Sequence, residues 1–295
     1  MQSADFLSAV FFYLKVGENL NQNWIVENLN NAFSTWNGKL GELWGLVTTG
    51  PQTFKDGAVW GVMQTLHNGM VGIGYALVVL FFAISLCKNT MNFHELKRPE
   101  AAIHYLIRFV AAKALVGYGM DIMLNVFSIC NGIVTDMANS MGGISEAMVS
   151  LPAEMQTAIE NVGFLASIPL WLVTILGSLF ITVLSFVMIL TVYGRFFRLY
   201  MYTALAPLPL AAFAGESTQS VGISFLKSYV GVCLEGAVIV LACVIYSAFV
   251  STPTVASGEA TTIVWSYLAE TVFNMLVLVG LIKGSDRIIH EMMGL

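Results

Sequence analysis

Charge is what this chain lacks. Only 11% of its 295 residues are Asp, Glu, Lys or Arg, against about a quarter in soluble domains, while 57% are hydrophobic and the mean hydropathy is +0.77. That balance excludes an ordinary soluble globule and points to a membrane protein. Cations are the scarcer sign, with 13 Lys and Arg against 18 Asp and Glu for a net charge of −5. No broad basic surface is available to neutralise a nucleic-acid backbone, which excludes a soluble nucleic-acid-binding module. Cysteine is sparse too. Cys87, Cys130, Cys233 and Cys243 lie in or beside apolar stretches and form no C-x-x-C pair, so zinc clusters and thioredoxin-like chemistry drop out and small buried hydrophobes remain. Catalytic motifs are missing as well. VGIGYAL at Val71 starts like a dinucleotide-binding turn but has Leu77 where the third glycine belongs, and HELKR at His94 has Arg98 in place of a zincin's second histidine. There is no G-x-x-x-x-G-K-[ST], so any ATP used by the system in which this chain works is bound by another subunit. We expect no enzyme, no cofactor and no metal site.

What is present is a set of long apolar runs. The first expected span covers residues 63–87, with VGIGYALVVLFFAISLC from Val71 to Cys87 at its centre. The second covers 103–130 and contains Arg108, Lys113 and Asp121. The third, 168–192, has no charge in its 25 residues, about 37 Å as a helix and enough to cross a hydrocarbon layer of roughly 30 Å; Arg195 and Arg198 are expected to end it. Spans at 230–250 and 262–282 carry Glu235 and Glu270. Leu199 to Ala214, LYMYTALAPLPLAAFA, is 16 residues long and interrupted by Pro207 and Pro209, so it reads as a short re-entrant or interfacial segment. The fold class is therefore an all-α polytopic membrane protein with about five transmembrane helices, residues 57–295 forming the membrane domain.

Ahead of it, residues 1–56 read as an extracytoplasmic or interfacial helical region. Ile25, Leu29, Phe33, Trp36, Leu40 and Trp44 recur at spacings of three and four, the stripe of an amphipathic helix that Gly50-Pro51 ends. Lys15, Glu18, Glu27, Lys39 and Glu42 argue against its spanning a bilayer. Its Trp-bearing face either lies in the interface or packs on the membrane domain or a neighbouring copy.

Cation placement predicts orientation. The Lys88–Glu100 loop, the Arg195–Lys227 segment and the tail after Ile282 hold Lys88, Lys97, Arg98, Arg195, Arg198, Lys227, Lys283 and Arg287, and are assigned to the cytoplasm. Residues 131–161 and 251–261 carry Asp136, Glu146, Glu154, Glu160 and Glu259 without a cation, and are assigned outside. The N-terminus is then outside and the C-terminus cytoplasmic, which requires an odd number of crossings.

Ionisable residues inside spans are the candidates for function, because each needs protein or water around it. Arg108, Lys113, Asp121, Glu235 and Glu270, with His67 at the margin of the first span, suggest a polar path or intersubunit contacts; alternatively the two cations snorkel and the acids pair across helices. Arg195 and Arg198, three residues apart, project from nearly one helix face. With Lys227 they would form, in a ring of copies, an inner-mouth belt for anionic lipid headgroups, a DNA phosphate or an acidic partner; ordinary interfacial anchoring is the alternative. Gly57-x-x-x-Gly61 and Gly280-x-x-x-Gly284 would let helices approach closely.

The outside helical region, the set of spans, the cytoplasmic tail and the segment YGRFFRLYMYTALAPLPLAAFAG from Tyr193 to Gly215 together resemble the TrbL-like polytopic inner-membrane subunit of type IV secretion and conjugation machines, the sixth VirB-type component. The resemblance implies a homo-oligomeric core component at the base of a translocation channel in the bacterial cytoplasmic membrane. It also implies contact with a pilin-like subunit and the system's ATPases, and at most indirect contact with transferred DNA. Residues 131–161 are far shorter than the long extracytoplasmic domain of larger members. The rival reading is a secondary transporter or ion channel that uses Glu235, Glu270 and Asp121 as a coupling site, although no internal repeat relates the two halves.

Overall fold

In a long uncharged run the backbone donors and acceptors can bond only to one another, and a helix is the local way to do so. The computed structural model follows that rule: it is 92% helical, with no strand among the described residues. It describes residues 2–90, 99–140, 148–162, 164–249 and 260–294, with side chains over 24–88, 103–139, 148–162, 168–248 and 262–294. Lys97, Arg98, Glu146 and Glu259, all used above to assign orientation, lie outside the described residues. The elements are α1 (Gln2–Thr48), α2 (Ala58–Thr90), α3 (Pro99–Gly117), α4 (Gly119–Ser140), α5 (Ala153–Glu160), α6 (Phe164–Leu205), α7 (Pro207–Ala211), α8 (Gln219–Phe249) and α9 (Ala260–Met293), with 3₁₀ turns at Phe54–Gly57 and Ala212–Ala214.

Among the described residues, four stretches are long and apolar enough to cross a membrane, Phe54–Lys88, Ile168–Leu205, Gln219–Ala248 and Thr262–Met293. The expected second span differs from the sequence reading. Residues 103–130 are not one straight helix: Ile103–Gly117 and Gly119–Asn139 meet at 72° and make a fifth span only if counted together. Glycines flank the corner, where a larger residue would press on the tips of neighbouring side chains. A Cβ on Gly119 would lie 3.2 Å from Leu210 Cδ1, and one on Gly117 would lie 2.8 Å from the Tyr75 hydroxyl. The third span is also longer than expected. Arg195 and Arg198 close the hydrophobic run but not the helix, since arginine is a good helix former, and α6 continues to Leu205.

Pro207 ends it. With no N–H to give and a ring that crowds the preceding turn, it starts the short α7 at a position where proline is tolerated. Within the Pro-containing segment expected as re-entrant or interfacial, 199–205 continue α6 and Pro207, Leu210, Ala211, Ala212 and Ala214 are buried against α2 and α3. The irregular backbone is satisfied inside protein, as it must be at membrane depth: Leu210 N donates to Ala206 O, Thr218 Oγ1 to Ala212 O, and Glu216 N to Ser85 Oγ.

The chain forms two compact units. The first comprises Met1–Trp44, Met141–Thr191 and Leu241–Lys283. Here the amphipathic stripe of α1 is spent on the unit's own core, with Ile25, Leu29, Phe33, Trp36, Leu40 and Leu43 all buried. Asn37 exchanges hydrogen bonds with the backbone of Val149, and Tyr267 packs on Phe33 while donating to Ser150 O. The second unit comprises Gly45–Ser140, Val192–Val240 and Gly284–Leu295. At its start Lys55, Asp56 and Gly57 take left-handed φ of 51°, 58° and 75°, at a cost of about 1–3 kcal/mol for each of the two non-glycine residues. Phe54, stacked 4.0 Å from Phe196, and the Tyr200 hydroxyl bonded to Pro51 O hold that turn.

Gly74 on α2 is where the backbone approach is closest: its Cβ would lie 2.9 Å from Pro207 O and 2.9 Å from Val116 Cγ1, whereas Gly72 faces open space. Gly74→Ala should therefore lower stability in detergent by about 1–3 kcal/mol, and Gly72→Ala should leave it unchanged or raised. Equal effects in thermal unfolding would remove the close contact from the account.

A buried ion-pair cluster as the candidate functional site

Arginine is almost never fully buried unless its charge and donors are matched. Arg195 is 0% exposed. Its position on α6, one turn from Arg198, brings both guanidinium groups to the same side of the helix. The α8 backbone approaches there through Gly236, whose Cβ would stand 2.7 Å from Arg195 Nη1. Any larger residue would displace the buried guanidinium. Arg195 donates from Nε to Val232 O at 3.4 Å, from Nη1 to Val47 O at 3.4 Å and from Nη2 to Cys233 O at 3.5 Å. Val47 lies in the last turn of α1, where carbonyls lack helical partners and the helix end is partly negative. Asn131 caps the next carbonyl, Thr48 O, at 3.2 Å.

Arg198 supplies the ion pairs. Its Nη2 lies 2.7 Å from both carboxylate oxygens of Glu235, and its Nη1 is paired with Asp286. Ser285 Oγ donates to Glu235 Oε1 at 3.2 Å, and His290 Nε2 stands 3.6 Å from Asp286. Two guanidinium groups and two carboxylates thus balance within one cluster, and Glu235, only 1% exposed, has every oxygen engaged. The arrangement ties residues of α6, α8 and α9 together with the end of α1. Among the described residues no group of three or more His, Cys, Asp or Glu is placed to hold a metal.

Of the sequence candidates, the structure brings together Arg195, Arg198 and Glu235, which came from two different sets. Arg195 spends its donors inside the protein, and Arg198 is shared between two carboxylates. Lys227, the third member of the expected belt, is exposed. Arg108 is half-buried and donates to Gln219 Oε1 at 2.8 Å, while Lys113, Asp121 and Glu270 are exposed. His67 is buried, its Nδ1 2.7 Å from Thr203 O. Sequence reasoning missed Ser285 and Asp286. The available signal was the continuation of the α9 pattern past Ile282, which keeps both on the helix rather than in a tail.

Against known proteins, residues 36–207 match the family described as TrbL/VirB6 plasmid conjugal transfer like protein. The match covers more than half of the chain and includes both arginines, and it ends before Glu235 and Asp286. The protein is therefore a multi-pass membrane component of a conjugal transfer system, and the family is a structural one not known for enzymes. The chain belongs to the TrbL/VirB6 plasmid conjugal transfer-like family. No curated protein and no solved structure matches it.

Two glutamates that look alike in sequence separate here. Glu235→Gln leaves two guanidinium groups against one carboxylate and should cost about 3–5 kcal/mol; Glu270→Gln, at an exposed position, should stay within about 0.5 kcal/mol. Thermal unfolding of the purified proteins reads the difference, and comparable losses would contradict the cluster.

Proposed function

We propose that the protein is a repeated core subunit of the conjugal translocation channel in the bacterial cytoplasmic membrane, with its N-terminus outside and its C-terminus in the cytoplasm. The observation that carries this reading is the family match over residues 36–207. The chain offers no nucleotide-binding motif, so the energy for transfer enters through ATPase partners. A pilin-like subunit and further copies of the chain are its other neighbours, and DNA is at most an indirect contact. Exposed charges on span helices need protein or water, so Lys113, Asp121 and Glu270 serve as contacts between subunits or face a polar path. Lys227, exposed on α8, suits anionic lipid headgroups.

A small-solute transporter is the weaker reading. Both oxygens of Glu235 are taken by Arg198, and Ser285 adds a third bond, leaving Glu235 no free oxygen for coupling.

Two readouts test the proposal in cells. Single cysteines at Gly143 and Ser257 should react with an impermeant thiol reagent in intact cells, and one at His290 only after lysis. The complementing protein, extracted gently, should run as a defined oligomer. Labelling of His290 but not Ser257 would invert the orientation, and a monodisperse monomer in several mild detergents would contradict the repeated subunit.

A further inference from the structure

Two helices of the first unit lie side by side and expose opposite chemistries. Trp24 meets Trp171 at 5.7 Å between ring centroids, Asn28 donates to Ser178 Oγ at 3.0 Å, and the Lys39 ammonium sits 5.9 Å from the centre of the Phe186 ring. Trp24 to Lys39 and Trp171 to Phe186 are each an advance of fifteen residues. α1 and α6 therefore run in the same direction and in constant register over about 22 Å. The contact falls within the uncharged run 168–192 of α6, so wherever that run lies in hydrocarbon, α1 lies at the same depth. An interfacial helix would lie in the membrane plane and cross α6 rather than follow it.

The exposed side of α6 carries Leu172, Leu176, Leu179, Val183, Phe186 and Leu190, a surface suited to acyl chains. The exposed side of α1 carries Glu27, Asn30, Asn31, Ser34, Gly38 and Gly41. Trp24 is the only large hydrophobic residue exposed on α1 among the described residues. A groove of about 360 Å³ at the seam is mostly apolar, with Ile175 and Leu179 in its lining, and Asn28 and Thr35 of α1 face Ser178 and Thr182 of α6 across it. Carboxylate, amide and hydroxyl groups at membrane depth require water or protein rather than lipid. Water satisfies this mixture, whereas a docked protein segment would find no large apolar side chain to bury between Glu27 and Gly41, and the flanking Lys39 is paired with Glu42 at 2.6 Å.

We propose that the polar face of α1, from Glu27 to Gly41, is the wall of a water-filled path at membrane depth, held beside the lipid-facing α6 by the contacts of Trp24, Asn28 and Lys39. The proposal stands apart from the identity of any cargo, and it turns a helix expected outside the bilayer into one that lines an aqueous route through it.

The test compares level positions on the two helices. In full-length protein with Cys87, Cys130, Cys233 and Cys243 replaced by alanine, nitroxide labels are placed at Ser34 and at Phe180 and the protein is returned to lipid bilayers. The Phe180 label should be relaxed by oxygen and the Ser34 label by a water-soluble nickel complex, with accessibility ratios differing roughly tenfold. A second pair, Asn31 and Leu176, repeats the comparison if either first label disturbs insertion. A Ser34 label shielded from both reagents would mean that another protein segment covers the face, and an oxygen-type Ser34 label would mean lipid; both overturn the proposal. Nickel access at Phe180 would overturn it too, by taking both helices out of the hydrocarbon.

Discussion

A guanidinium group without water must find both its counter-charge and its hydrogen-bond acceptors in the protein, and in this chain that demand falls fully on Arg195 and in part on the half-buried Arg198. The cost of removing ions from water is recovered only when geometry and remaining donors are both satisfied. Arg195 meets it with three backbone carbonyls, and Arg198 with two carboxylates. Neither solution is local. Val47, Val232, Glu235 and Asp286 come from three other helices, so the cluster forms only if those helices reach the same place in register. A buried pair of this kind contributes less to net stability than it does to excluding other arrangements, because every misregistered packing leaves a charge unmatched.

The same logic governs the backbone where it departs from helix. The bend between α3 and α4 and the break at Pro207 both release backbone groups, and both are covered by neighbouring helices. His67 beside Gly119, and α2 against α7 through Gly74, show how that cover is achieved. The glycines let main chain approach main chain, and proline is confined to the first position of a new turn. In a membrane protein of few polar side chains, these are the sites at which a single methyl group decides whether the covering helix fits.

Much of this was legible in the sequence for a simple reason. Long apolar runs have one stable local solution even where a single carboxylate interrupts them, so α6, α8 and α9 could be read from hydropathy, and the three-and-four spacing of Ile25 to Trp44 pointed to the inward face of α1. The segment from Tyr193 to Gly215 carried the family. What could not be read depended on tertiary register. Arg195 as a buried group and Arg195 as an interfacial anchor have the same local context. Glu235 and Glu270 each sit in a long apolar helix, and nothing nearby says that one faces α6 and the other stands exposed. Asp286 was counted with the tail because charge ends a hydrophobic run without ending the helix. The corner at Tyr118 was hidden because two glycines are common in membrane helices and only the nearness of Leu210 and Tyr75 makes them necessary.

The central claim is that Arg198 and Glu235 act as one unit holding α6 to α8, and a double-mutant cycle measures it directly. Arg198→Gln, Glu235→Gln and the pair are compared with the parent protein by equilibrium unfolding in a single mild detergent. The account predicts that the double change costs less than the sum of the two single changes, with a coupling energy of about 1–3 kcal/mol. Losses that add to within about 0.5 kcal/mol would mean that the two side chains do not sense each other, and would contradict it.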